Sequence, residues 1–224
     1  MLPPFEAILF DYDGTLALLN LDFAAMRRHL YTFTVAQGIS PQELHSLDIL
    51  EMLEWATGWL RHHLPEQADR YARDAEQLIQ DMEVEAARSS GLLPGVPELL
   101  TTLRQEQIDI GIVTRNCDAA VRMTFPHIDT YCQAFMPRNR VTQVKPHPAH
   151  LQAALDCLGT TPERAIMVGD GAMDMQAGKA LGMFSIGVLS GRTPRAKLLA
   201  HGADLVLASV ADLLQYVGSQ SRAV

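Results

Sequence analysis

The chain has 224 residues, 48% of them hydrophobic, enough for one large domain or two modest ones with cores of their own. Its formal net charge is −8 and no run of Lys or Arg stands out, which argues against the basic footprint of a nucleic-acid or anionic-membrane binder. Cys117, Cys132 and Cys157 are too few and too widely spaced for a disulfide framework or a C-x-x-C zinc pair; with no membrane-length apolar run and no basic leader around Glu6, a soluble cytoplasmic protein is expected.

The first apolar run, AILF at 7–10, reads as a buried strand and ends in Asp11, Tyr12, Asp13, Gly14 and Thr15. Residues 19–90 then carry helical patterns and no convincing strand. Ser40, Pro41 and Glu43 form an S-x-x-E capping box with proline at the first helical position, predicting a helix that runs to about His63. A second, polar helix is predicted over 66–88. Trp55 and Trp59 lie four apart on one helix face and read as core, while His62 and His63 lack the partner spacing of a metal site and read as solvated or capping residues. The Gly/Pro-rich SSGLLPGVP closes this stretch. The expected organisation is a core of 1–18 and 91–224 with a helical insertion at 19–90, hinged near 16–20 and 89–95.

Past the insertion, strand-like and helical runs alternate. VPELLTTLRQEQ, PAHLQAALDCLG and MDMQAGKALG have helical spacing, and IDIGIV (108–113), AIMVG (165–169), MFSIGV (183–188) and DLVL (204–207) read as strands. The strands are continuously apolar rather than alternating, as in a parallel sheet covered on both faces, so the fold class is α/β with a doubly wound parallel sheet.

Ligands of such sheets bind beyond the carboxyl ends of the strands. That rule groups Asp11 and Asp13 after the first strand, Thr114 after IDIGIV, and Asp170 after AIMVG with Asp174 four positions on. Lys145, one of only three lysines in the chain, lies in the polar stretch QVKPHP and can join them. Each has a bland reading as turn former, strand residue, helix cap or surface amine. Together they make a converging set of acids, one hydroxyl and one amine.

D-x-D-G-T, a threonine after a later strand, K-P and G-D-x-x-x-D, in this order, resemble the haloacid dehalogenase superfamily. The helical insertion is similar to that superfamily's α-helical cap, and the layout is most similar to phosphoglycolate-phosphatase-type members. The resemblance implies a phosphatase in which Asp11 attacks phosphorus and Asp13 serves as general acid and then base. It implies Mg²⁺ held by the Asp11 carboxylate, the Asp13 backbone carbonyl and the Asp170 carboxylate, with Asp174 behind them and Thr114 and Lys145 on the phosphoryl oxygens. Arg115 is a further candidate for an anionic substrate group. The expected partner is a small phosphorylated metabolite such as 2-phosphoglycolate, with no nucleic acid and no membrane; the oligomeric state is not legible. Arg27, Arg28, His29, Arg61 and Arg70 of the insertion are candidates for substrate contacts and equally read as solvated helix faces.

An EF-hand reading of D-x-D-G fails on spacing, since Gly14 is fourth and Asp22 stands twelfth. A receiver-like phosphoacceptor module carries its acidic pair before a later acceptor Asp and lacks a helical insertion. Dehalogenation lacks a need for Asp13, and phosphonate chemistry needs a lysine that residues 19–90 do not contain. A phosphomutase of the same superfamily stays open.

Overall fold

The computed structural model describes residues 2–18 and 20–217; residues 1 and 218–224 of the expected core and residue 19 of the expected insertion and hinge lie outside the described residues. Asn20–Arg88 form one compact unit, and the chain on either side of them forms the other. Among the described residues, no helix is long and apolar enough to cross a membrane.

The smaller unit is helical: α1 (Phe23–Val35), α2 (Pro41–Leu44), α3 (Ile49–His63) and α4 (Pro65–Ala87). Its core gathers Met26, Leu30, Leu44, Met52, Leu60, Tyr71 and Ile79, and the Tyr71 hydroxyl meets the Thr34 hydroxyl at 2.7 Å. The single helix expected from Ser40 to His63 is in fact two. Ser40 makes no side-chain cap, whereas Asp48 accepts from the Glu51 N–H at 2.9 Å and Glu51 accepts from the Asp48 N–H at 2.8 Å. The first helix ends at Leu44, and that reciprocal pair starts a new one at Ile49. Trp55 and Trp59 are half-buried rather than core, and His63 stacks on the Trp59 ring at 4.1 Å between centroids. Arg27 is structural: its guanidinium donates to the carbonyls of Leu44, His45 and Leu47, closing the end of α2. Arg61 and Arg70 form exposed ion pairs with Asp69 and Asp74, of a kind worth about 0–1 kcal/mol.

The larger unit holds β1 (Ala7–Phe10), β2 (Ala17–Leu18), β3 (Gly91–Leu92), β4 (Asp109–Thr114), β5 (Ala134–Pro137), β6 (Ala165–Gly169), β7 (Phe184–Val188) and β8 (Leu205–Leu207). It also holds α5 (Val96–Gln105), α6 (Asp118–Thr124), α7 (Ala149–Leu158), α8 (Ala172–Ala180), α9 (Arg195–Ala200) and α10 (Leu214–Val217). Six strands pair in the order β5-β4-β1-β6-β7-β8, every pair parallel, while β2 and β3 form a separate two-residue antiparallel pair. The α/β parallel sheet expected from the sequence is thus present, with one strand, β5, that the sequence reading lacked. AFMP is short and ends in Pro137, which a sheet tolerates at its edge, and Phe135 packs against the guanidinium groups of Arg122 and Arg140.

Alternate side chains of each strand serve the two faces. Ile8, Phe10, Ile110, Ile112, Ile166 and Val168 pack with Leu99, Leu100 and Leu103 of α5, and Ala7, Leu9, Val113 and Met167 pack with Leu151, Ala154 and Leu155 of α7. All four side chains of β1 are fully buried, so truncating one of the larger to Ala costs about 2–5 kcal/mol. Central placement also fixes where β1 ends. Phe10 is in register with Ile112 of β4 and Val168 of β6, so the residues following these three strands emerge side by side.

Candidate active site

Three of those strand ends carry acids or hydroxyls. Asp11 follows β1 and is held by its own N–H on the Val168 carbonyl at 2.8 Å. Its carboxylate is buried; one oxygen accepts from Lys145 Nζ at 2.7 Å and the other from the Thr15 hydroxyl at 3.3 Å. Lys145 is 2% exposed, and its ammonium also donates to Asp174 at 2.6 Å and to the Val113 carbonyl at 2.7 Å. Three N–H bonds thus meet three acceptors. Asp174, in the first turn of α8, accepts in addition from the Gly171 N–H at 2.9 Å.

Asp170 completes the cluster: one carboxylate oxygen each from Asp11, Asp170 and Asp174 lie within 4.8 Å of one another. Against these three carboxylates stands the one Lys145 ammonium. The imbalance shows in the titration of the group. Burial, opposed by the Lys145 charge and assisted by Asp174, raises the Asp11 pKa to about 6. Burial and the charges of Asp11 and Asp174 raise that of Asp170 to about 8. The two asparate neighbours also attract Lys145 strongly enough to overcome its own burial and lift its pKa to about 12.

Close packing around Asp170 explains two glycines. Gly14 has φ +82°, in the left-handed region, and a Cβ there would sit 2.6 Å from the Asp170 carboxylate; a Cβ at Gly191 would overlap the same group. The loop that carries Gly191 is tied down by the Ser190 hydroxyl, which donates to the Gly14 carbonyl at 2.7 Å.

Asp13 faces elsewhere. Its carboxylate accepts from Asn116 Nδ2, at 3.2 Å to one oxygen and 3.4 Å to the other. Thr114 is fully buried at the end of β4 and its hydroxyl oxygen accepts from the Asn116 N–H at 3.0 Å. Arg115 turns its guanidinium to the sulfur of Met173 on α8. The structure therefore brings Asp11, Lys145, Asp170 and Asp174 into one cluster, and places Asp13 beside Asn116.

Two polar residues with structural claims on this site escaped the sequence reading. Asn116 lies two positions past Thr114, where Asn reads as a turn former. His150, on the first turn of α7, is fully buried; its Nδ1 accepts from the Lys145 N–H at 3.1 Å and its Nε2–H donates to the Met136 carbonyl at 3.0 Å. These partners assign the neutral ring with its proton on Nε2. Burial, then the nearby charge of Lys145, pushes the His150 pKa down to about 3, with a smaller push from Arg115.

Below about pH 6.5 the unfolded chain takes a proton at this imidazole that the folded chain refuses. The stability tied to His150 is therefore whole above about pH 6.5 and is lost progressively as the pH falls toward 3. His150→Gln is expected to flatten the fall in urea midpoint between about pH 7 and pH 5, relative to wild type. Equal slopes in the two proteins would show that the ring accepts its proton within the fold.

The sequence profile of the haloacid dehalogenase-like hydrolases matches residues 8–188. The pyrophosphatase PpaX of Anoxybacillus flavithermus is 28% identical over 227 residues, covering 97% of this chain and 99% of that protein. Among solved structures, a variant of CbbY from Rhodobacter sphaeroides in complex with xylulose-1,5-bisphosphate superimposes with a TM-score of 0.64 at 25% identity, covering 93% of this chain and 96% of that one. A Haemophilus somnus protein described as a predicted phosphoglycolate phosphatase shares the fold, with a TM-score of 0.65 at 19% identity over 95% of this chain and 97% of that one. With the motif residues Asp11, Thr114 and Asp170 at the ends of β1, β4 and β6, the chain belongs to the haloacid dehalogenase-like hydrolase family.

Proposed function

We propose that the chain is a Mg²⁺-dependent phosphatase that hydrolyses a small phosphate monoester through a phosphoryl group carried on Asp11. The observation that carries this reading is the convergence of one oxygen each from Asp11, Asp170 and Asp174, with the Lys145 ammonium paired to the buried carboxylates of Asp11 and Asp174. An Asp11 oxygen attacks phosphorus as the bond to the leaving oxygen breaks, and Asp13 gives that oxygen its proton. Asp13 then takes a proton from the water that attacks the phosphoryl-aspartate, which returns Asp11 to its carboxylate and frees inorganic phosphate. The Thr114 hydroxyl and the Lys145 ammonium hold the non-bridging oxygens. Because all three of its N–H bonds are engaged, Lys145 exchanges one present contact for a phosphoryl oxygen. Arg115, next to Thr114, supplies a second anion-binding group.

The donor set fits Mg²⁺: every donor is a hard oxygen, and carboxylates outnumber the ammonium. Asp11, Asp170 and the Asp13 backbone carbonyl would hold the ion, with Asp174 orienting its surroundings, and the ion would offset charge on the transferring phosphoryl group.

For the substrate, a few-carbon ester such as 2-phosphoglycolate is the first reading. Inorganic pyrophosphate is the second, supported by the near full-length match to proteins named pyrophosphatase. Phosphate release with Mg²⁺ from 2-phosphoglycolate, pyrophosphate, sugar bisphosphates and a phosphopeptide ranks them by kcat/KM. 2-Phosphoglycolate is expected first. Pyrophosphate in first place would install the second reading, a preferred phosphopeptide would refute small-molecule specificity, and an isomerised sugar phosphate without phosphate release would make the enzyme a mutase.

A further inference from the structure

Asn116 is 3% exposed and every polar part of it is engaged. Its N–H donates to Thr114 Oγ1, its backbone carbonyl accepts from the Arg138 N–H at 3.2 Å, and its side-chain oxygen accepts from the Cys117 N–H at 2.7 Å. The Cys117 contact settles the orientation of the amide, since an N–H can only face the oxygen. Nδ2 is therefore the end that meets both oxygens of Asp13, across 103 positions of sequence. The Thr114 and Cys117 contacts belong to the turn between β4 and α6, and the Arg138 contact ties that turn to the segment after β5; none of the three needs the contact with Asp13.

We propose that Asn116 is a positioning residue that aims the Asp13 carboxyl for proton transfer; the proposal rests on the reading of Asp13 as general acid and base. Asp13 sits half-buried on the turn after β1, so a partner is required to keep its carboxyl within the narrow range of geometry that proton delivery tolerates. An amide suits the task because it does not titrate. It donates to Asp13 as a carboxylate and equally to the carbonyl oxygen of the protonated acid, so one contact serves both steps of the reaction.

A merely structural Asn116 and a positioning one differ in how its loss depends on the leaving group. An alkoxide needs the proton of Asp13 as it departs; p-nitrophenolate, a stable anion near neutrality, leaves without one. The value of kcat/KM, which ends at formation of the phosphoryl-aspartate, isolates that step. The test measures it for 2-phosphoglycolate, or the best alkyl ester found, and for p-nitrophenyl phosphate in wild type, Asp13→Ala, Asn116→Ala and Asn116→Asp. Asn116→Asp keeps the shape and the oxygen for the Cys117 N–H while removing the donor, so it serves even where Asn116→Ala folds poorly. Asp13→Ala is expected to lose about 100-fold or more on the alkyl ester and far less on the aryl ester. Both Asn116 variants are expected to follow it, losing about tenfold on the alkyl ester and under about threefold on the aryl ester. Equal losses on the two esters, or none, would overturn the positioning role while leaving Asp13 in place. An Asp13→Ala that loses equally on both would overturn the reading of Asp13 itself and the proposal with it.

Discussion

Asp11→Asn is expected to fold like the wild type and to release no phosphate above background, a loss in kcat/KM of at least about 1,000-fold, as for removal of a nucleophile. Asn retains the shape of Asp and an oxygen for Lys145 Nζ, now 2.7 Å from the carboxylate. Its cost to the fold is small for a further reason. Burial and the neighbouring Asp174 already hold the Asp11 carboxyl up to a pKa of about 6, so the charge that is lost is one the fold accommodates poorly. Thermal melting within a few degrees of wild type, together with the absence of a phosphorylated species by intact mass after exposure to substrate, checks both halves. A folded variant that keeps more than a few per cent of wild-type activity would remove Asp11 as nucleophile.

The second large effect separates Asp170 from Asp174. Asp170→Ala is expected to abolish Mg²⁺-dependent turnover and to weaken Mg²⁺ binding by at least about 100-fold in calorimetric titration, with melting unchanged or slightly raised. Its carboxyl has a pKa raised to about 8 by burial and crowding, so removing it relieves the metal-free fold. Asp174→Ala is expected to act the other way. It strips Lys145 of one carboxylate and leaves the Gly171 N–H without its acceptor, at a cost of about 3 kcal/mol, the low end for a broken buried ion pair because Asp11 remains. Its effect on Mg²⁺ affinity is expected to be about tenfold, within the range for groups behind the ligands. A harmless Asp170→Ala beside an Asp174→Ala that no longer binds Mg²⁺ would exchange their roles.

Much of this arrangement was legible because its signals are local. A fully buried strand of a parallel sheet is a continuous apolar run, and AILF, IDIGIV and AIMVG are such runs, each followed at once by the residue that matters. Where two local signals compete, the pattern is ambiguous: Ser40 and Pro41 announce a helix as plainly as Asp48 and Glu51 do, and the chain takes both, stopping the first helix at Leu44 and starting a second at Ile49. Asn116, His150 and Gly191 were not legible at all. Their importance lies in partners far along the chain, Asp13 for Asn116 and Asp170 for Gly191, or in a backbone N–H, as with Lys145 for His150. A buried amide and a buried imidazole look in sequence like any turn former or helix residue.

The central position of β1 carries a consequence for synthesis. Ala7 pairs with Asp109 on one side and Ala165 on the other, so the first strand made waits longest for a neighbour. At about 5–20 residues per second, the run from Ala7 to Phe10 spends about 5 to 20 s on the ribosome before β4 exists at all. The whole of Asn20–Arg88 is translated within that wait. An apolar segment with unpaired N–H and C=O groups is, for those seconds, an open strand edge, which gives this architecture a window for wrong pairing or chaperone capture that closes only when the second half of the chain arrives.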